Sequence, residues 1–150
     1  SSDVCSSDLF YCAVVHPQLV VSTKEARSIL PKAVPMHDAI TQWGNVGGLV
    51  AGLYSGNIGL IGRAMKDAVA EPYRKGFIPG FDDLREKILS HGSLAMNIAG
   101  SGPSVFALAN KREKAHKAGE IMDKHFSALG IEHQVYVVKV SNRGARLTAY

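Results

Sequence analysis

Three places in this chain combine residue types and spacing suited to chemistry. The first is Gly100-Ser101-Gly102-Pro103-Ser104. Its two glycines permit positive φ angles and close backbone approach, and successive N–H groups in such a turn form a nest for an anion. Pro103 stiffens the exit. The same five residues would serve equally well as a tight connection between strands. The segment is not a Walker A loop, because it lacks the lysine and the helix that follow one. The second place is Glu71-Pro72-Tyr73-Arg74. An arginine on a proline-stiffened loop suits a two-pronged grip on a carboxylate or phosphate. A solvated Arg74, or one paired with Glu71, is the plainer alternative. Arg27, on a short segment after Ser22-Thr23, is the third place and carries the same alternative.

Other features point to structure. Gly44, Gly48, Gly52 and Gly56 recur every four residues and mark a smooth helix face for close packing. A nucleotide role for Gly47-Gly48 is disfavoured, because no strand precedes them. None of the six histidines is paired at metal-ligand spacing, and His116 and His125 read as surface imidazoles on a polar helix. Cys5 and Cys12 make neither a disulfide framework nor a metal site. No carboxylate pair lies beside a nucleophile, so a self-contained hydrolase site has no support.

The elements that must position these residues follow from a chain of 150 residues, sized for one domain or part of a larger one. Hydrophobic residues make up 46% and charged ones 20%, which excludes wholesale disorder. There are 17 Lys and Arg against 13 Asp and Glu, a formal net charge of +4. The charges are scattered, so a nucleic-acid role gains nothing. The apolar stretch Val46 to Ile61 is broken by Ser55 and Asn57 and is too short to span a bilayer. A cytoplasmic location is the default expectation. Ser1 to Leu9 repeat Ser-Ser-Asp without any periodicity and resemble translated sequencing-adapter DNA. Residues 1–9 are therefore expected to be an artefactual tail, leaving residues 10–150 as the domain.

Apolar runs and turn signals predict a strand at Phe10 to Val15, interrupted by His16-Pro17, with Leu19 to Val21 as a candidate continuation. Ser22-Thr23 offer an N-cap, with Glu25 placed for a capping interaction, to a helix at Lys24 to Leu30 that Pro31 stops. Further helices are predicted at Asp38 to Tyr54 and Asn57 to Ala70, then a loop from Glu71 to Gly80. Phe81 to Ser90 is a helix with Phe81, Leu84, Ile88 and Leu89 on one face. Ser93 to Ala99 and Val105 to Ala109 are strands on either side of the glycine-rich loop. Lys111 to Leu129 is an amphipathic helix with Ala115, Ala118, Met122, Phe126 and Leu129 inward. Glu132 to Val140 alternates as a half-exposed strand, and a turn at Asn142-Arg143-Gly144 leads to an edge strand, Ala145 to Ala149. The expectation is an α+β, ferredoxin-like split β-α-β-β-α-β fold with extra helices in the first crossover. Such a fold decides no function by itself.

Four segments in order carry a resemblance. They are Ser22-Thr23-Lys24-Glu25-Ala26-Arg27…Ile29-Leu30-Pro31, Met65-Lys66-Asp67…Glu71-Pro72-Tyr73-Arg74, Ile78-Pro79-Gly80-Phe81, and Gly100 to Leu108. From about Phe10 onward the chain resembles the homoserine kinase family of the GHMP small-molecule kinases, in its C-terminal half. The family's C-terminal domain is ferredoxin-like, in keeping with the element order. The resemblance implies ATP-dependent phosphorylation of the L-homoserine hydroxyl to O-phospho-L-homoserine, a step of threonine biosynthesis. It also implies that Arg27 and Arg74 hold the amino acid's carboxylate, while the loop Gly100, Ser101, Gly102, Pro103, Ser104 approaches the active site. The partners would be L-homoserine and ATP with Mg²⁺, without nucleic acid or membrane, and a homodimer is allowed. No counterpart of the family's phosphate loop or Mg²⁺ carboxylate occurs between Ser1 and Tyr150. The N-terminal ATP-binding domain is thus expected to be missing, with no catalytic or metal-binding residue in this chain and no activity from it alone. The alternatives are another GHMP kinase, acting on mevalonate or diphosphocytidyl-erythritol, and a free-standing ferredoxin-like amino-acid-binding module.

Overall fold

A computed structural model of the chain describes residues 10–141. Four strands, β1 (Tyr11–Pro17), β2 (Ala95–Ile98), β3 (Val105–Ala109) and β4 (His133–Lys139), form one sheet in the order β2-β3-β1-β4. All three pairings are antiparallel, with Val15 opposite Val105 on one side and Val135 on the other. The helices are α1 (Thr23–Ser28), α2 (Met36–Ser55), α3 (Ile58–Ala64), α4 (Glu71–Arg74), α5 (Phe81–Ser90) and α6 (Arg112–Ala128), with a 3-10 turn at Lys75–Phe77. The split β-α-β-β-α-β order is present, and α1 to α5 fill the first crossover. The expected edge strand Ala145 to Ala149 and the tail Ser1 to Leu9 lie outside the described residues.

One face of the sheet makes the core with α5 and α6. Ala13 and Val15 of β1, Met96 of β2, and Val105 and Ala107 of β3 meet Leu84 and Ile88 of α5 and Met122 and Phe126 of α6. Small residues let α6 lie close. A Cβ on Gly119 would stand 3.0 Å from Val137 Cγ2, so a larger side chain there would push the helix off the sheet. Leu89 and Leu129, expected inward, are exposed, because each lies in the final turn of its predicted helix where the face has rotated out of the core.

Several boundaries differ from expectation, each for a local reason. β1 runs through His16 and Pro17 without interruption. Pro17 closes the strand opposite His133, an end position where a missing N–H is tolerated. Leu19 to Val21 form no strand, and Val20 is fully exposed. At α1 the Ser22 side chain makes no capping hydrogen bond, although its carbonyl accepts from Ala26 N–H at 2.8 Å. The helix expected over Asn57 to Ala70 stops at Ala64. Three distant amides claim the backbone that would have continued it: Asn97 Nδ2 donates to Met65 O at 2.9 Å, Asn45 Nδ2 donates to Lys66 O at 2.9 Å, and Gln42 Oε1 accepts from Ala68 N–H at 2.8 Å. The segment expected as a loop from Glu71 opens instead as α4. Pro72 suits a first helical turn, and the Asp67 carboxylate accepts the N–H groups of Val69, Ala70 and Glu71 at 2.8, 2.8 and 3.1 Å.

Of the four glycines spaced by four, two make the expected close contact. Gly48 and Gly52 face α3, where added Cβ atoms would stand 3.3 Å from Ala64 Cβ and 2.9 Å from Ile61 Cγ1. Gly44 meets nothing within 4 Å, and Gly56 is the left-handed C-cap of α2.

Candidate functional site

Arg74 ends α4 and reaches in two directions. Its Nε donates to Ala26 O at 3.3 Å and its Nη1 donates to Gly100 O at 3.0 Å. One guanidinium therefore ties α1, at the residue before Arg27, to the start of the glycine-rich loop. Arg27 itself lies exposed in the last turn of α1. Among the described residues no hydrogen bond or ion pair engages its side chain. The structure thus brings two of the three candidate places into contact through Arg74, with the third alongside.

The loop between β2 and β3 is held at both ends. Ala99 N–H donates to Ser104 O at 2.8 Å, and the Ser104 hydroxyl pairs with His16 Nδ1 at 2.8 Å. Gly100 and Gly102 have φ angles of 61° and 83°, which their missing Cβ atoms allow. Pro103 is buried and follows a cis peptide bond. The Gly102 N–H is committed to Ala99 O at 3.1 Å, so any anion nest here draws on the loop's other amides.

Glu71 is the residue that sequence reasoning paired with Arg74 in the plainer alternative. The structure gives it to Arg85 instead. Buried Glu71 meets Arg85 Nη2, while the same guanidinium donates to Met96 O at 3.1 and 2.7 Å and stacks 4.7 Å over the Phe81 ring. This frees Arg74 from internal charge pairing. A cleft of about 30 Å³, room for about one water molecule, lies between Asp67, Glu71, Arg74, Asn97, Ile98 and Gly100. A larger open depression of about 530 Å³, around Gln18, Gly130 and His133, includes none of the candidate residues.

Sequence reasoning missed Asp67, Arg85, Asn97 and His16. Asp67 had a signal, since an acidic residue shortly before Glu-Pro is placed to cap a helix start. The other three act across long sequence separations and carried none. His125 was expected as a surface imidazole. Its Nε2 pairs with Pro79 O at 2.9 Å and its ring meets Phe126 edge-on, because the left-handed turn at Gly80 lays its backbone against α6.

The domain is thus an antiparallel sheet backed by two helices, with a glycine-rich loop braced by an arginine from the first crossover. The family model for GHMP kinases C terminal matches residues 49–128, and the chain belongs to that family. Among curated relatives, a homoserine kinase from Chlorobium phaeovibrioides is 45% identical over 139 residues, which are 91% of this chain and 43% of that protein. A homoserine kinase from Pyrococcus abyssi is 40% identical over 133 residues, 89% of this chain and 44% of that protein. The solved homoserine kinase from Cytophaga hutchinsonii superposes with a TM-score of 0.85 at 49% identity, covering 89% of this chain and 42% of its own. The chain therefore spans less than half the length of these relatives.

Proposed function

We propose that this chain forms the C-terminal part of a homoserine kinase. In this reading Arg27 and Arg74 hold the carboxylate of L-homoserine, and the Gly100 to Ser104 loop closes on the site where its hydroxyl becomes O-phospho-L-homoserine. The observation that carries the reading is the Arg74 guanidinium, which pairs with no carboxylate among the described residues and is poised between α1 and the loop. An α-carboxylate is the anion that two guanidinium forks suit. Phosphoryl transfer rests on positioning and charge neutralisation, and this domain contributes positioning.

The carboxylates nearest the loop do not suit Mg²⁺. Asp67 is occupied by three backbone N–H groups and Glu71 by Arg85. We derive no step through the ion, and assign ATP and Mg²⁺ to a portion of the protein beyond residues 10–150. A cytoplasmic location and a homodimer belong to the same reading.

The test is an assay of ADP release by the protein at its full genomic length. Homoserine-dependent ADP release, absent from the 150-residue chain alone, supports the proposal. Release with mevalonate but not homoserine would assign it to a sibling kinase. Homoserine binding by the 150 residues, with no phosphorylation at full length, would favour an amino-acid-binding module.

A further inference from the structure

Asn97 lies on β2 shortly before the glycine-rich loop. Its Nδ2 donates to Met65 O at 2.9 Å, which fixes the amide, since the opposite orientation would set oxygen against oxygen. Asn97 Oδ1 is buried and has no hydrogen-bond partner among the described residues. A buried acceptor without a donor is costly, so folded proteins satisfy such atoms with protein groups or ordered water.

Asn97 also lines the cleft of about 30 Å³ beside Asp67, Glu71, Arg74 and Gly100. That is room for about one water molecule and too little for an amino acid or a nucleotide. The occupant needs a hydrogen to give to Asn97 Oδ1 and a lone pair for the Arg74 guanidinium. Water has both. A small cation has no lone pair to offer and would face that guanidinium. The two carboxylates are already taken, Asp67 by three backbone N–H groups and Glu71 by Arg85. A buried water makes about three hydrogen bonds, and the Asp67 carboxylate on the same cleft is an acceptor for its second hydrogen.

We propose that one water molecule in this cleft links Asn97 Oδ1 to the Arg74 guanidinium and makes Asn97 a positioning residue for Arg74. The link's role in binding rests on the kinase reading, whereas the water itself does not. A guanidinium carries five N–H donors. Ala26 O and Gly100 O take one each and the water a third, which leaves two for a substrate carboxylate. The three anchors come from α1, the glycine-rich loop and β2. They hold the fork in one plane before substrate arrives, so its rotamer freedom is not lost on binding.

A crystal structure of the protein at its full genomic length, without homoserine, should show an ordered water within about 3.2 Å of both Asn97 Oδ1 and an Arg74 nitrogen. Kinetics on the same protein measure its effect. Asn97→Leu keeps the branched shape without polar atoms and should raise the KM for homoserine about three- to tenfold, the worth of one pre-ordered side chain. The KM for ATP should stay nearly unchanged, and kcat within about twofold. Asn97→Ser keeps a hydroxyl that a second water can extend, and should restore most of the affinity. Both variants lose the bond to Met65 O, so a purely structural role would make them alike. A cleft without water density, or an Asn97 Oδ1 held by a protein group, overturns the proposal. So does an Asn97→Leu protein with an unchanged homoserine KM, or an Asn97→Ser protein no better than Asn97→Leu. If the full-length protein does not turn over homoserine, the kinase reading fails, and the density in the cleft alone upholds or overturns the water link.

Discussion

Arg74 Nη1 donates to the Gly100 carbonyl at 3.0 Å, joining the end of α4 to the first residue of the glycine-rich loop. The Nε of the same side chain donates to the Ala26 carbonyl at 3.3 Å. The position therefore requires a planar fork with several donors, which lysine lacks. In the full-length protein Arg74→Lys should weaken homoserine binding about ten- to a hundredfold, the worth of a charge-assisted hydrogen bond. The KM for ATP should stay nearly unchanged. Arg112→Lys, on the exposed start of α6, is the control and should do nothing. Steady-state kinetics with both substrates varied decides it. An Arg74→Lys protein that matches the control, or that changes only the ATP constant, removes Arg74 from the carboxylate site.

The Glu71–Arg85 pair supports the same region from beneath. Removing one partner leaves a buried charge without its counterion, so Glu71→Leu should cost about 3 kcal/mol. Arg85→Leu should cost a similar amount, since Met96 O also loses its donors. The double substitution should cost clearly less than the sum of the two. Urea denaturation of the four proteins measures this coupling. Additive effects would show the pair to be unimportant.

Two glycines of α2 should respond with opposite signs. Gly52→Ala places a Cβ 2.9 Å from Ile61 Cγ1 and 3.1 Å from Ile61 N, an overpacking that costs about 1–3 kcal/mol. Gly44→Ala meets nothing within 4 Å and should stabilise the helix by about 0.5–1 kcal/mol. Thermal melts of both variants check the pair. Equal shifts would mean that α3 does not pack where the structure places it.

Burial on β1 pushes the Cys12 thiol up to about 11 from its ordinary 9.0. The thiol stays protonated in the folded chain while an unfolded chain ionises above pH 9. The stability contribution is therefore complete below pH 9 and is lost as pH rises from about 9 to 11. Cys12→Ala should flatten that alkaline decline, measured as the urea midpoint against pH. At pH 8 the thiolate fraction should be about a hundredfold below that of a free cysteine, so alkylation of Cys12 should be correspondingly slow. Rapid labelling of folded protein would contradict the burial.

Local patterns in the sequence determined the four described strands, the helices α2, α5 and α6, and the glycine-rich loop between β2 and β3. Each of these depends on neighbours within one turn or one strand, where apolar period and turn residues act directly. The candidate arginines were legible for the same reason, as residue types on short, punctuated segments. Tertiary contact decided the rest. Whether the backbone after Ala64 stays helical depends on Gln42, Asn45 and Asn97, up to 32 residues away in sequence. Which arginine takes Glu71 was open between a neighbour three residues on and Arg85, 14 residues on. The fold chose Arg85 because α5 brings it over β2, where Met96 O and the Phe81 ring hold its guanidinium in place. Hydrogen bonds and ion pairs of this kind have no period along the chain. They exist once packing has set the distances between elements.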